Sequence, residues 1–140
     1  MRWSFESTDA AEAYTVRFDM LEYLKSRADT GSDLEAAALI FGELVGNVVR
    51  HAPGPITVEI LWERGCAVLR VVDGGPGFDW AGNAALPDIL AESGRGLYIA
   101  QSVAKALKVR RLAGNGTEAT AWLPVSLDAT WPERGQDLAG

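Results

Sequence analysis

Glu43 and Asn47 interrupt an otherwise apolar helical stretch, Phe41-Gly-Glu-Leu-Val-Gly-Asn-Val-Val-Arg-His51. One turn apart, they diverge by about 40° around the helix axis and point away from the main apolar stripe. A carboxylate and an amide on a buried face need partners, and a ligand or a metal can supply them. Read alone, the stretch is more simply an ordinary amphipathic helix with both groups in solvent and Arg50 pairing nearby. Two glycine clusters downstream change that balance.

The first is Asp73-Gly-Gly-Pro-Gly77, directly after an apolar strand pattern. A carboxylate anchored on a rigid strand beside flexible glycines suits a flat ligand with a donor edge, such as the exocyclic amine of adenine. The glycines let backbone approach such a ligand and hinge the loop that follows. A tight turn explains the same residues equally well. The second cluster is Gly94-Arg-Gly96, placed to open a helix, where free backbone N–H groups attract anions and phosphate above all. It lacks the Lys and Ser/Thr of a Walker A loop, and no parallel strand-turn-helix unit surrounds it.

The elements that must position these groups can be read in order. Arg2 to Glu6 alternates as a short edge strand. Asp9 with Glu12 caps a first helix whose apolar side is expected through Tyr14, Phe18, Leu21 and Leu24. Ser32-Asp-Leu-Glu35 is a second capping box and starts the central helix, whose stripe runs through Leu34, Ala37, Ala38, Phe41, Val45 and Val48. Ala52-Pro-Gly-Pro55 ends it. Ile56 to Trp62 alternates as a half-buried strand, Arg64-Gly65 turns the chain, and Cys66 to Val72 reads as a more central antiparallel strand. From Phe78 to Gly94 no period emerges, as in a functional lid. Leu97, Ala100, Val103, Ala104 and Leu107 mark a third helix. Val109 to Leu112 and Thr117 to Pro124 form a final hairpin around Gly114-Asn-Gly116. Trp3, Trp62, Trp80, Trp122 and Trp131 are assigned to core or lid packing.

This order predicts an α+β two-layer sandwich, a mixed and mainly antiparallel sheet with helices on one face. A length of 140 residues with 48% hydrophobic content suits one core. Residues 1–124 are expected to form the domain, and 125–140 a polar, poorly ordered tail. The net charge of −6 argues against a nucleic-acid binder. The single Cys66 allows neither a disulfide framework nor a cysteine metal cluster and fits a reducing compartment. No run approaches the ~20 apolar residues of a membrane span. A cytoplasmic location is therefore expected.

Taken together, Glu43 with Asn47, Asp73-Gly-Gly-Pro-Gly77 and Gly94-Arg-Gly-Leu97 resemble the N box and the two glycine boxes of the Bergerat-fold ATPases shared by gyrase, MutL and histidine kinases. The resemblance spans about Ser4 to Pro124. Within that superfamily the small size, Glu43-Leu-Val-Gly-Asn-Val-Val-Arg-His-Ala52 and Ser93-Gly-Arg-Gly-Leu97 are most similar to stand-alone bacterial anti-sigma-factor serine kinases. It implies ATP and Mg²⁺ as ligands, with Glu43 as general base and Asn47 coordinating the metal. Asp73 would read adenine, Gly75 and Gly77 would shape the lid hinge, and Gly94, Arg95, Gly96 and Leu97 would lie at the phosphates. Thr117 would support adenine.

The implied partners are a sigma factor and an anti-anti-sigma protein of STAS type, with a homodimer left open. Glu92 stands where some members carry a basic residue, and Thr117-Glu118 where many carry a Thr-Thr pair; these departures bear on phosphotransfer more than on nucleotide binding. The same resemblance also fits a module that binds a partner without phosphotransfer, or the catalytic half of a split two-component histidine kinase. The last is less expected, because no phosphoacceptor helix precedes residue 1. His51, the single histidine, is read as a helix-end residue and not as a phosphorylation site.

Overall fold

The computed structural model describes residues 1–51, 54–74, 92–112 and 116–128. In chain order these are β1 (Arg2–Glu6), α1 (Ala10–Arg27), α2 (Leu34–His51), β2 (Pro55–Glu63), β3 (Cys66–Asp73), α3 (Glu92–Val103), β4 (Ala106–Arg111) and β5 (Thr117–Ser126). The five strands form one sheet in the order β1-β2-β3-β5-β4. Every pairing among the described strands is antiparallel, so the expected α+β sandwich with a mainly antiparallel sheet holds, with no parallel pair in it. β1 pairs with β2 at one edge and leaves no parallel neighbour.

Period-two alternation gives the sheet one apolar face. Ile56, Val58 and Ile60 of β2, Leu69 and Val71 of β3, and Ala119, Ala121 and Leu123 of β5 are all buried on it. The helices cover that face, with α2 packed against α1 on one side and α3 on the other. At Arg64 (φ 52°) and Gly65 (φ 78°) both central residues of the β2–β3 turn are left-handed, the twist that a two-residue hairpin requires.

Both helix starts obey the capping logic, one of them a residue later than expected. Asp9 Oδ1 accepts the Glu12 N–H at 3.0 Å. At α2 it is Asp33 Oδ1 that accepts the Ala36 N–H at 3.0 Å, while the expected cap, Ser32, donates its hydroxyl to Asp29 Oδ1 instead.

Three expectations are corrected. The buried row of α1 is Val16, Met20 and Leu24, whereas Tyr14 is 73% and Phe18 63% exposed. The helix carries two apolar rows, and the aliphatic one is the row that joins the core. Helix α3 ends at Val103, and Leu107 belongs to β4. Finally, β5 runs past residue 124: Val125 is buried, Leu127 bridges Ala28, and the Asp128 N–H donates to the Arg27 carbonyl at 2.7 Å. The chain thus returns against the end of α1 before residue 129. Trp80, Trp131 and the span 75–91 lie outside the described residues.

Candidate functional site

Antiparallel pairing fixes which element ends coincide. Asp73, the last residue of β3, pairs with Ile56 at the start of β2 and with Thr117, the first residue of β5. Asn47 lies one turn before the end of α2, and β2 begins four residues after that end. Helix α3 runs toward the opposite end, since β4 starts there with Ala106 across from Trp122. Its N-terminus therefore points back to the end holding Asp73 and Thr117, over a helix length of roughly 18 Å. Asn47, Asp73, Thr117 and the start of α3 share one end of the sandwich.

Three of these groups are buried polar side chains: Asn47, Asp73 and Thr117 are each 2% exposed. Among the described residues, Asn47 Oδ1 and Thr117 Oγ1 are the buried side-chain atoms with no hydrogen-bond partner. A buried polar atom left without a partner costs about 1–3 kcal/mol, so two at one end of a fold mark a place organised for something other than stability. Glu43, one turn before Asn47, is half-buried, and no hydrogen bond or ion pair joins it to the described residues.

Gly94, Arg95 and Gly96 were expected to open the third helix. The helix starts two residues earlier, at Glu92, so Gly94 and Arg95 fall among its first four residues, where N–H groups lack intrahelical partners, and Gly96 falls just past them. Leu97 is 3% exposed and belongs to the hydrophobic core, which ties that turn to the body of the protein. Gly75 and Gly77 lie outside the described residues.

The two residues read as departures separate clearly. The pleat turns Thr117 toward the helices and Glu118 to the open face of the sheet. There Glu118 bonds Arg110 at 2.7 Å and Arg70. Arg70 also meets Glu59 at 3.0 Å, and Glu59 meets Arg2 at 3.0 Å, so one row of alternating charges crosses all five strands. The Arg110 hydrogen bond, aided by Arg70, holds the Glu118 carboxyl below its ordinary range despite partial burial. Burial pushes Glu59 up, and the two arginines outweigh it. Glu118 is thus a sheet residue with no side-chain access to the Asp73 side.

Two residues escaped the sequence reading. Gly116 (φ 106°) packs its backbone against Asp73 so closely that a Cβ there would fall onto the Asp73 carbonyl oxygen. Its signal was position, directly before Thr117 in a turn. Arg50 is exposed and has no ion pair among the described residues, whereas the amphipathic-helix alternative had it pairing nearby. Its guanidinium lies over Gly46, where an added Cβ would sit 3.4 Å from Nη1. Three residues after Asn47, it places a cation on the same side of α2. For His51 the structure gives the backbone, which closes α2.

Chemically, the arrangement offers a buried carboxylate on a rigid strand, an orphaned amide oxygen, an orphaned hydroxyl and a helix N-terminus. Among the described residues no three His, Cys, Asp or Glu side chains gather to hold a metal, and no helix is long and apolar enough to cross a membrane. A metal here would take few protein ligands, as Mg²⁺ does when phosphates supply the rest.

The comparisons agree with this geometry. The model of the histidine kinase-like ATPase domain family matches residues 6–122. Among solved structures, the Acinetobacter baumannii histidine kinase AdeS is similar with a TM-score of 0.52, covering 91% of this chain and 68% of that one. At 13% identity that likeness is one of fold. No curated protein matches the sequence.

Proposed function

The chain belongs to the histidine kinase-like ATPase domain family, and on that premise we propose that it is an ATP-dependent protein serine kinase of the anti-sigma-factor type. ATP binding follows from the family. Serine as acceptor, a STAS-type anti-anti-sigma protein as substrate and a sigma factor as the sequestered partner are the proposal. Asp73 would accept a hydrogen bond from the adenine amine, with the Thr117 hydroxyl beside it. The first turn of α3, through Gly94 to Leu97, would receive the phosphates, with Arg95 and Arg50 as nearby cations and Gly75 and Gly77 in the hinge.

Asn47 fits Mg²⁺ because its Oδ1 is a hard oxygen donor, buried and without a partner. Bound there, the ion would neutralise phosphate charge.

The observation that carries the kinase reading is Glu43: a half-buried carboxylate, without ion pair among the described residues, one turn from the orphaned Asn47 amide. In the proposed step Glu43 takes the proton of a serine hydroxyl as its oxygen bonds to the γ-phosphorus. The bond from that phosphorus to the β-bridging oxygen breaks, and its electron pair leaves with ADP. A protein that bound a partner without phosphotransfer would have no use for this base.

The test is transfer from γ-labelled ATP to candidate partner chains from the same genome. Label on serine of a STAS-type protein is the expected result. Label on histidine would move the protein to a split two-component kinase, and no label to a binding module.

A further inference from the structure

Charge is unevenly spread along this chain. It holds 19 acidic and 13 basic residues, yet no carboxylate occurs between Glu92 and Glu118, a span that carries Arg95, Lys105, Lys108, Arg110 and Arg111. The last four fall on β4 and the residue before it, and all four are exposed. Strand β4 lies at the edge of the sheet, paired with β5 alone among the described strands.

The open face of the sheet shows what this edge lacks. Its row of alternating charges runs Arg2, Glu59, Arg70, Glu118, Arg110 and stops on a cation at β4. The side chain of Arg110 stays 68% exposed beside its bond to Glu118. Two residues back on the same face, Lys108 lies over the Trp122 ring at 5.7 Å and has no ion pair among the described residues. Same-face residues on neighbouring strands sit about 4.5–5.5 Å apart at Cβ. A sixth strand with one carboxylate opposite Arg110 and another opposite Lys108 would therefore carry the alternation one step further. At the other edge Arg2 is followed on its face by Ser4 and Glu6, so β1 has no such run of cations.

The backbone of β4 has the matching geometry. The Leu112 N–H donates to the Gly116 carbonyl at 3.0 Å. By the two-residue alternation of an antiparallel ladder, Leu107 and Val109 then turn their amides away from β5, to the free edge. No proline interrupts the strand. Lysines on an edge also keep a protein from pairing with its own kind, and the physics is the same with the sign reversed. Against β4 of a second copy, cation would meet cation, whereas an acidic strand meets complementary charge. A nucleic acid would find the cations but has no strand to add to the ladder, and the net charge of −6 repels it.

We propose that β4 is a docking edge for an extended acidic segment of a partner protein, added as a sixth strand with carboxylates at alternate positions opposite Lys108 and Arg110.

Fluorescence anisotropy of the full chain, with a labelled peptide of about ten residues that alternates glutamate with valine and threonine, tests it. Binding in the absence of nucleotide is expected, and it weakens as salt rises. K105E/K108E, at two exposed positions outside the Glu118 ion pairs, keeps the fold by circular dichroism and weakens binding by roughly tenfold or more. The same peptide N-methylated at the residues between its glutamates keeps every charge but loses the N–H groups that would face β4, and it should bind no better. Hydrogen exchange at the Leu107 and Val109 amides should slow with the parent peptide alone. A wild type that does not bind the parent peptide, or binds its lysine counterpart equally well, overturns the acidic partner. Undiminished binding of the methylated peptide overturns strand addition. Tighter binding of a single-stranded oligonucleotide of the same length overturns a protein as the occupant.

Discussion

Thr117 lies directly across the β3–β5 ladder from Asp73, so the first residue of one strand and the last of its neighbour present a hydroxyl and a carboxylate side by side beneath the helices. Both are 2% exposed. Cross-strand partners on one face sit within about 5.5 Å at Cβ, close enough for one planar ligand edge to meet both.

Asp73→Asn is therefore expected to keep the fold and lose nucleotide. A hydrogen bond to a charged acceptor contributes about 1.5–3 kcal/mol, so ATP affinity should fall by roughly tenfold to a hundredfold, and preference over GTP should relax. Calorimetric titration with both nucleotides reads the two effects. Unchanged ATP affinity would remove Asp73 from the site.

Thr117→Val should separate stability from binding. The Thr117 hydroxyl is buried with no hydrogen-bond partner, and valine is its near-isostere. Removing an unsatisfied buried hydroxyl should raise the stability of the nucleotide-free protein by about 1–2 kcal/mol in denaturant titrations. ATP affinity should fall at the same time. A variant less stable than wild type would mean that the hydroxyl is satisfied in the free protein.

Why some of this was legible in sequence and some was not follows from where each signal resides. Local signals were read well. Asp9 caps α1, Arg64-Gly65 turns the hairpin, and the alternation of Ile56, Val58 and Ile60 marks the buried face of β2. The clustering of Asn47 with Asp73 is not local, since it depends on strand order, and it was reached through a resemblance and not through any period. The choice between two apolar rows on α1 belongs to tertiary packing: Tyr14 and Phe18 have the right spacing, yet Val16 and Met20 are the ones buried. Glu118 was measured against a pair of threonines, although the pleat sends its side chain to the other face, where Arg70 and Arg110 on neighbouring strands await it. Gly116 could be recognised only once Asp73 was known to pass behind it.

The charged row across the open face gives a pH dependence with a definite sign. Glu118 and Glu59 both have carboxyls lowered from 4.5, Glu118 through its Arg110 hydrogen bond first and Glu59 through Arg2 and Arg70 against the cost of burial. A group lowered in the folded state stabilises it fully above its unfolded value and less as pH falls through the folded one. Their contribution is thus complete at neutral pH, begins to fall near the ordinary 4.5 and is gone only below the lowered folded-state values. Glu118→Gln should melt earlier than wild type at pH 7, and the two melting curves should converge as pH drops below 4. ATP affinity at pH 7 should change little, since Glu118 faces away from Asp73. Parallel melting curves at all pH values would show that the ion pairs with Arg70 and Arg110 do not form in solution.

The last expectation decides between a kinase and a passive binder. If Glu43 is the base, it must reach an incoming serine hydroxyl on the phosphate side of α2, one turn before Asn47. Glu43→Ala removes the proton acceptor and leaves Asp73, Thr117, the start of α3 and the amide of Asn47 in place. Mg-ATP affinity and sigma-factor binding should remain near normal, while phosphorylation of the anti-anti-sigma substrate falls by roughly 10² or more. Asn47→Ala removes the orphaned Oδ1, and with it the Mg²⁺-dependent part of ATP binding. The two variants must therefore differ in calorimetry even where both are inactive. An ordinary amphipathic helix with two solvated polar groups predicts little effect from either change, and the 2% exposure of Asn47 already speaks against it. If the wild type transfers phosphate to no partner from its own genome, and Glu43→Ala binds the sigma factor as the wild type does, the kinase reading fails and the binding module takes its place.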